Sequence, residues 1–311
     1  MCIMIDDDQR GQIEARVAEA TSLVFYVDFD GTLAPIVADP SLATLSPETR
    51  DVLEEFSCRE DVLVAVVSGR SLVDVKARVG LQALVYSGDH GLQIEGHSLR
   101  FEHPEAARCR DALAELNQQL IGLPLLLPGV QVESKSLTTA IHYRRAPDGT
   151  REQIATILQS LVLADDPLFV LTEGKMIIEI RPRVDWNKGT AVRWIHDRLQ
   201  ADGALPFIIG DDRTDEDAFD ALDDAITIRV GPEESTAARY CLADQDAVGE
   251  ILHWLLRVWK EHQAGAKGDK PHPNGRPGLG IKESSPIPSV RLRRSAAIRK
   301  RELSRRGDSP A

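Results

Sequence analysis

Cysteine is scarce and scattered: Cys2, Cys58, Cys109 and Cys241 include no Cys-x-x-Cys pair and have no histidines at zinc-site spacing. That excludes a small zinc module and a disulfide-stapled scaffold, and a reducing, cytoplasmic setting is expected. Long apolar runs are missing as well. None approaches the roughly 20 residues a membrane helix needs, so no membrane partner is expected for the body of the chain. The opening residues MCIMIDDDQRGQIEARV put three acids where an export signal carries positive charge, so no export leader is expected there. Positive charge is also short across residues 1–262, whose net charge is −20. Binding a nucleic-acid backbone needs clustered Lys and Arg, so no nucleic acid is expected for this part, although a small anionic substrate is not excluded.

What remains is a chain of 311 residues, 42% hydrophobic, long enough to bury a substantial core. Residues 263–311 differ from the rest, with 12 Lys+Arg against 4 Asp+Glu and many Gly, Pro and Ser. Such a composition cannot offset the entropy of ordering, and a disordered basic tail is expected there. Its stretch SVRLRRSAAIRKRELSRR is either a solvated extension or a docking segment for an anionic partner.

Short β-branched runs alternate with helical patterns before the tail: LVFYVDFDG, DVLVAVVSGR, ALVYSGDHG, LPFIIGDD and AITIRVG. Continuous apolar runs that end in Gly, Ser or Asp predict parallel strands buried on both faces, with ligands bound beyond their carboxyl ends. Between the halves, two helical patterns each precede a hairpin-like stretch (VQVESKSLTTAIHYR and LFVLTEGKMIIEIRP), which predicts an inserted αββαββ unit. The expected fold is therefore α/β: a Rossmann-like parallel-sheet core, residues 1–100 and 184–262, with an α+β insert at 101–183.

The chemistry gathers at the strand ends. Asp28 and Asp30 follow the first run, and alternation predicts that their side chains share a side. Gly31 lets the backbone bend away, and Thr32 can cap or donate to an oxyanion. Two adjacent carboxylates raise one pKa or demand a cation, though Asp and Gly are also ordinary turn formers. Asp211, Asp212 and Asp215 form a second acidic cluster, suited to Mg²⁺ with waters and a phosphate oxygen, or to a solvated helix start. Asn187 can N-cap a helix whose first turn then carries Lys188, where the dipole repels an ammonium. A nearby anion resolves that conflict, and so does a side chain curling into water. Ser68-Gly69-Arg70 offers a hydroxyl and backbone N–H groups to a phosphate, which alone is a weak signal.

The order DxDGT, SGR, Lys at a helix start, then GDDxTD resembles the haloacid dehalogenase-like superfamily of Mg²⁺-dependent phosphohydrolases over about residues 22–250. Within it, GDHGLQ, VESKSLTTAIHYR, EGKMIIEIRP, DWNKGTAV and GDDRTDEDAF resemble the trehalose-6-phosphate phosphatases. Phe29 stands where that family commonly has Tyr, and Asp89 where many members have Glu. The resemblance implies Asp28 as the nucleophile that becomes an aspartyl phosphate, and Asp30 as acid and then base. It implies Mg²⁺ among Asp28, the Asp30 carbonyl and Asp211, with Asp212 or Asp215 orienting waters. Asp215 is assigned here to the metal and Asp212 to the substrate side. Ser68 and Lys188 would hold the phosphoryl group, with Thr32, Gly69 and Arg70 beside them.

The insert resembles a cap over the sugar, with Glu133, Lys135, His142, Arg144, Lys175 and Glu179 as candidate contacts. Those residues also suit salt bridges on an open sheet face, and Arg144 and Arg181 suit a brace at the hinge. His90 fits a structural or a substrate role equally. The implied reaction is hydrolysis of trehalose 6-phosphate, the last step of trehalose biosynthesis. Another sugar phosphatase, of sucrose-phosphate or mannosyl-phosphoglycerate type, and a silent partner-binding subunit are the alternatives.

Overall fold

A computed structural model describes residues 2–162, 165–199, 201, 203–232 and 235–266. In chain order the first part holds β1 (Ile3–Met4), α1 (Asp7–Glu19), β2 (Leu23–Val27), α2 (Pro47–Ser57), β3 (Val62–Val67), α3 (Leu72–Val79), β4 (Val85–Gly88), β5 (Gln93–Gly96) and β6 (Leu99–Glu102). The middle holds α4 (Pro104–Arg108), α5 (Arg110–Leu120), α6 (Leu123–Leu126), β7 (Gln131–Ser134), β8 (Thr139–His142), α7 (Thr150–Leu161), β9 (Phe169–Gly174) and β10 (Ile177–Pro182). The last part holds α8 (Lys188–Arg198), β11 (Leu205–Gly210), α9 (Arg213–Phe219), β12 (Ile226–Val230), β13 (Tyr240–Leu242) and α10 (Asp246–Ala266). Two compact units result, one from the first and last parts and the other from residues 104–184.

In the first unit the described strands form one nine-stranded sheet in the order β1-β13-β12-β11-β2-β3-β4-β5-β6. It is parallel from β1 to β4, while β5 and β6 run antiparallel at one edge. All residues of β2 and β3 are buried, which is why those runs carry no polar alternation. Phe25 and Val27 enter one core with α1, α2 and α10, where Phe25 lies 4.9 Å from Phe207 and 4.7 Å from Phe56. Val24 and Tyr26 point the other way, into a second core with Ala191, Val192 and Ile195 of α8 and Ala218 and Phe219 of α9. Helices therefore cover both faces. Each large apolar side chain so buried contributes about 1.5–3 kcal/mol, and the strand ends stay anchored between two packed layers.

The unit border falls after His103 rather than after residue 100, because β6 is a strand of the first sheet paired to β5 through Ile94 and Phe101. At the other end α10 runs to Ala266, so residues 263–266, expected in the tail, are helical and Gln263 is buried. The remainder of the expected tail, 267–311, lies outside the described residues.

The second unit contains a four-stranded antiparallel sheet, β7-β8-β10-β9. One face, with Ile141, Ile178 and Ile180, packs on Leu113 and Leu120 of α5 and Ile154 and Leu158 of α7. The register aligns Glu133, Ala140 and Glu179 across β7, β8 and β10, so these and His142 belong to the opposite face.

Candidate active site

β2 ends at Val27, and the chain then leaves strand geometry at the sheet's carboxyl edge. Asp28 is nevertheless held in line, since its N–H donates to the Ile209 carbonyl of β11 at 2.9 Å. Gly31 turns the backbone with φ +85°, and a Cβ there would meet the Asp211 carboxylate at 2.3–2.7 Å. Only glycine fits both the conformation and that approach.

Residues 28–30 lie beyond the strand, so pleat alternation does not govern them, and the two acids take different partners. Asp28 turns inward, while both oxygens of Asp30 accept from Arg70, Nε at 2.7 Å and Nη2 at 2.7 Å. Arg70 also donates to Asp74 at 2.7 Å and to the Pro40 carbonyl at 2.9 Å, and it lies over the Phe29 ring. Burial disfavours the Arg70 charge, but Asp30 and Asp74 outweigh it and push its pKa up.

Asn187 caps α8 by accepting from the Thr190 N–H at 2.9 Å, which places Lys188 in the first turn. Gly189 brings α8 against α9 so closely that a Cβ would meet the Asp217 carbonyl at 2.0 Å. Lys188 does not reach water. Its Nζ donates to Asp28 at 2.6 Å and to Asp215 at 2.8 Å, with all three side chains buried. Burial opposes the ammonium, yet Asp215 and Asp28 outweigh it and hold the Lys188 pKa above its usual value. Asp28 moves the opposite way to an ordinary ion-paired acid: burial pushes it well up, Lys188 pulls it back, and Asp215 and Asp211 raise it again.

Asp28, Asp211 and Asp215 each offer an oxygen within 4.8 Å of the others. Three carboxylates and one ammonium carry a formal excess of two negative charges in a dry site, which a divalent cation would neutralise. The donor set fits a hard cation such as Mg²⁺. The second oxygen of Asp215 accepts from the backbone N–H groups of Asp211 at 3.1 Å and Asp212 at 2.9 Å. Asp212 itself is half-buried at the start of α9 and is not in the three-acid cluster.

Ser68 is buried, accepts from the Arg70 N–H at 3.1 Å and follows β3 directly. The His90 ring lies against Gly69, where a Cβ would meet it at 2.7 Å, and the His90 N–H donates to the Ser68 carbonyl at 3.0 Å. These three residues therefore form one loop cluster. Thr32 is wholly buried, and its hydroxyl has no hydrogen-bond partner among the described residues.

In the second unit, His142 pairs with Glu133 at 2.8 Å and Lys135 with Glu179 at 3.1 Å. Arg144 donates to the Lys175 carbonyl at 3.2 Å and so closes the β9–β10 end of the sheet. Arg181 is on β10, which pairs with β8 and β9.

The Trehalose-phosphatase family model matches residues 26–246. A trehalose-phosphate phosphatase of Mycobacterium bovis is 36% identical over 265 residues, 81% of this chain and 65% of that protein. The chain belongs to the trehalose-phosphatase family. It spans just under two thirds of the length of that mycobacterial relative. The C-terminal domain of Candida albicans trehalose-6-phosphate phosphatase has a similar fold, with TM-score 0.69 and 22% identity, covering 82% of this chain and 98% of that one. So does the C-terminal domain of the Candida albicans trehalose synthase regulatory protein, with TM-score 0.59 and 10% identity, covering 82% and 99%. The fold is thus shared with a protein named as a regulator, and function must be argued from side chains.

Two residues of the site escaped the sequence reading. Arg229 donates to the Asp211 carbonyl at 2.7 Å and to Glu216 at 2.6 Å, and both groups hold the acidic loop. The available signal was an arginine inside ITIRV, a strand whose residues are all buried.

Proposed function

We propose that the protein hydrolyses trehalose 6-phosphate to trehalose and phosphate through a phosphoryl group carried on Asp28. The observation that supports the reaction class best is the buried contact of Lys188 with both Asp28 and Asp215. Family membership supports the substrate. A silent subunit has no need of Asp28, Asp30, Lys188, Asp211 and Asp215 together, and burying unneeded charges costs stability.

In this reading Lys188 holds one Asp28 oxygen and stabilises the phosphoryl charge, while the other oxygen attacks phosphorus in line. The phosphorus–oxygen bond to the sugar breaks, and Asp30 gives its proton to the departing oxygen. Asp30 then takes a proton from water, which attacks phosphorus and releases phosphate from Asp28. Both Asp30 oxygens accept one N–H each from Arg70, which leaves each a second lone pair for the transferred proton. Ser68 is assigned to a phosphoryl oxygen, with Gly69, Arg70 and His90 shaping its loop. Asp28, the Asp30 carbonyl, Asp211 and Asp215 would hold Mg²⁺, which would supply charge neutralisation for phosphate and nucleophile.

The unit 104–184 is assigned as the sugar-recognising cap and the other as the phosphohydrolase core. Lys135 with Glu179, and Glu133 with His142, are the polar pairs that suit sugar hydroxyls. Lys175 and Arg144 lie at one end of that sheet.

Phosphate release from trehalose 6-phosphate, glucose 6-phosphate and sucrose 6-phosphate, with and without Mg²⁺, tests the proposal. Selective hydrolysis of the trehalose ester is expected, with Asp28→Asn slower by roughly 10⁴–10⁶-fold. Preference for another ester would overturn the sugar assignment, and no hydrolysis of any would overturn the enzyme.

A further inference from the structure

Arg229 is a fully charged side chain on a strand whose other residues are Ile226, Thr227, Ile228 and Val230, and all five are buried. Burying a guanidinium is costly, and hydrogen bonds from its donors offset that cost. The parallel register places Arg229 beside Gly210, the last residue before the acidic loop. From there Nη2 donates to the Asp211 carbonyl at 2.7 Å, and Nη1 donates to the Asp212 carbonyl at 3.3 Å and to Glu216 at 2.6 Å. Glu216 is anchored in turn, accepting from the Thr236 hydroxyl at 2.9 Å and the Ala237 N–H at 2.7 Å.

The loop is thus gripped from two sides. Asp215 takes the N–H groups of residues 211 and 212, and Arg229 takes their carbonyls. Each N–H and C=O group of the two residues therefore has a partner within the protein. We propose that Arg229 is a positioning residue for the cation site: by fixing the 211–212 backbone it aims the Asp211 carboxylate at Asp28 and Asp215 before the cation arrives. This inference rests on the phosphatase reading above, in which those three acids hold the cation.

The planar fork is what serves two carbonyls and a carboxylate at once, and a lysine cannot reproduce it. Groups that orient metal ligands typically change affinity by about 10–100-fold when removed. Mn²⁺ binding by the full chain, read by electron paramagnetic resonance as the loss of free-ion signal, tests the role without turnover. Wild type and Asp211→Asn are compared first; wild-type binding that Asp211→Asn does not weaken would overturn the cation reading and this role with it. Given that weakening, Arg229→Lys and Arg229→Met are expected to bind Mn²⁺ about 10–100-fold more weakly. Activity is expected to recover at raised cation concentration with an unchanged KM for the sugar phosphate. A purely structural arginine would lower the melting temperature and leave the Mn²⁺ affinity of the folded protein alone, and that result would overturn the proposal. Should both variants fail to fold, Glu216→Gln removes only the carboxylate anchor. Wild-type Mn²⁺ affinity in that variant would overturn the proposal, and weakened affinity would support it.

Discussion

At the carboxyl edge of the first sheet, Lys188, Asp28 and Asp215 show 3%, 6% and 4% side-chain exposure, whereas Glu133 and His142 in the second unit show 39% and 19%. The Lys135–Glu179 pair is nearly as buried as the first cluster, at 5% and 10%. Both regions are polar, yet they are held differently. The first draws its charges from separate strand ends and a helix start, and its loop backbone is gripped by Asp215 and Arg229. The second draws Glu133 and His142 from the paired strands β7 and β8, and Lys135 from the turn between them, across to Glu179 of β10. Fixed geometry suits bond-making, and a partly open sheet face suits reversible contact with hydroxyls.

Lys188→Met should break the contrast most severely. It leaves Asp28 and Asp215 buried without their cation, and a loss of about 3–5 kcal/mol is expected in urea unfolding, together with loss of turnover. A loss under about 1 kcal/mol would mean that the cluster is wetter than its burial implies.

Lys135→Met should act on recognition instead. If the pair serves the sugar, KM for trehalose 6-phosphate rises by about 10–100-fold, the value of one charged hydrogen bond, while hydrolysis of a small aryl phosphate is unchanged. Equal loss on both substrates would place the effect on folding. The smallest change is expected for His142→Gln, because a half-exposed pair contributes at most about 1 kcal/mol, and a thermal melt should barely move.

Much of this was legible in the chain. The strands β2, β3, β4, β11 and β12 stand out because continuous apolar runs are what a sheet buried on both faces requires. Asn187 was readable as a cap, and Lys188 as a charge in conflict with the helix dipole, but only its contacts with Asp28 and Asp215 decide between a buried anion and a side chain curling into water. The two-residue β1 and three-residue β13 carry no periodicity, and only their pairing in the folded sheet defines them. The β5–β6 turn hid the unit border for the same reason. Helix α10 passes residue 262 because Trp259 and Gln263, four apart, continue its buried face. The Asp30–Arg70 and Arg229–Asp211 contacts span 40 and 18 residues, and no local pattern encodes where a side chain finds a partner at that distance.

In the proposed reaction Asp28 receives the phosphoryl group. Rapid quenching with phosphorus-labelled trehalose 6-phosphate, followed by peptide mapping, tests it directly. A transient label is expected on the peptide containing Asp28, removed by hydroxylamine and absent in Asp28→Asn. Turnover that releases labelled phosphate without ever labelling that peptide would contradict it, and would hand the attack on phosphorus to water.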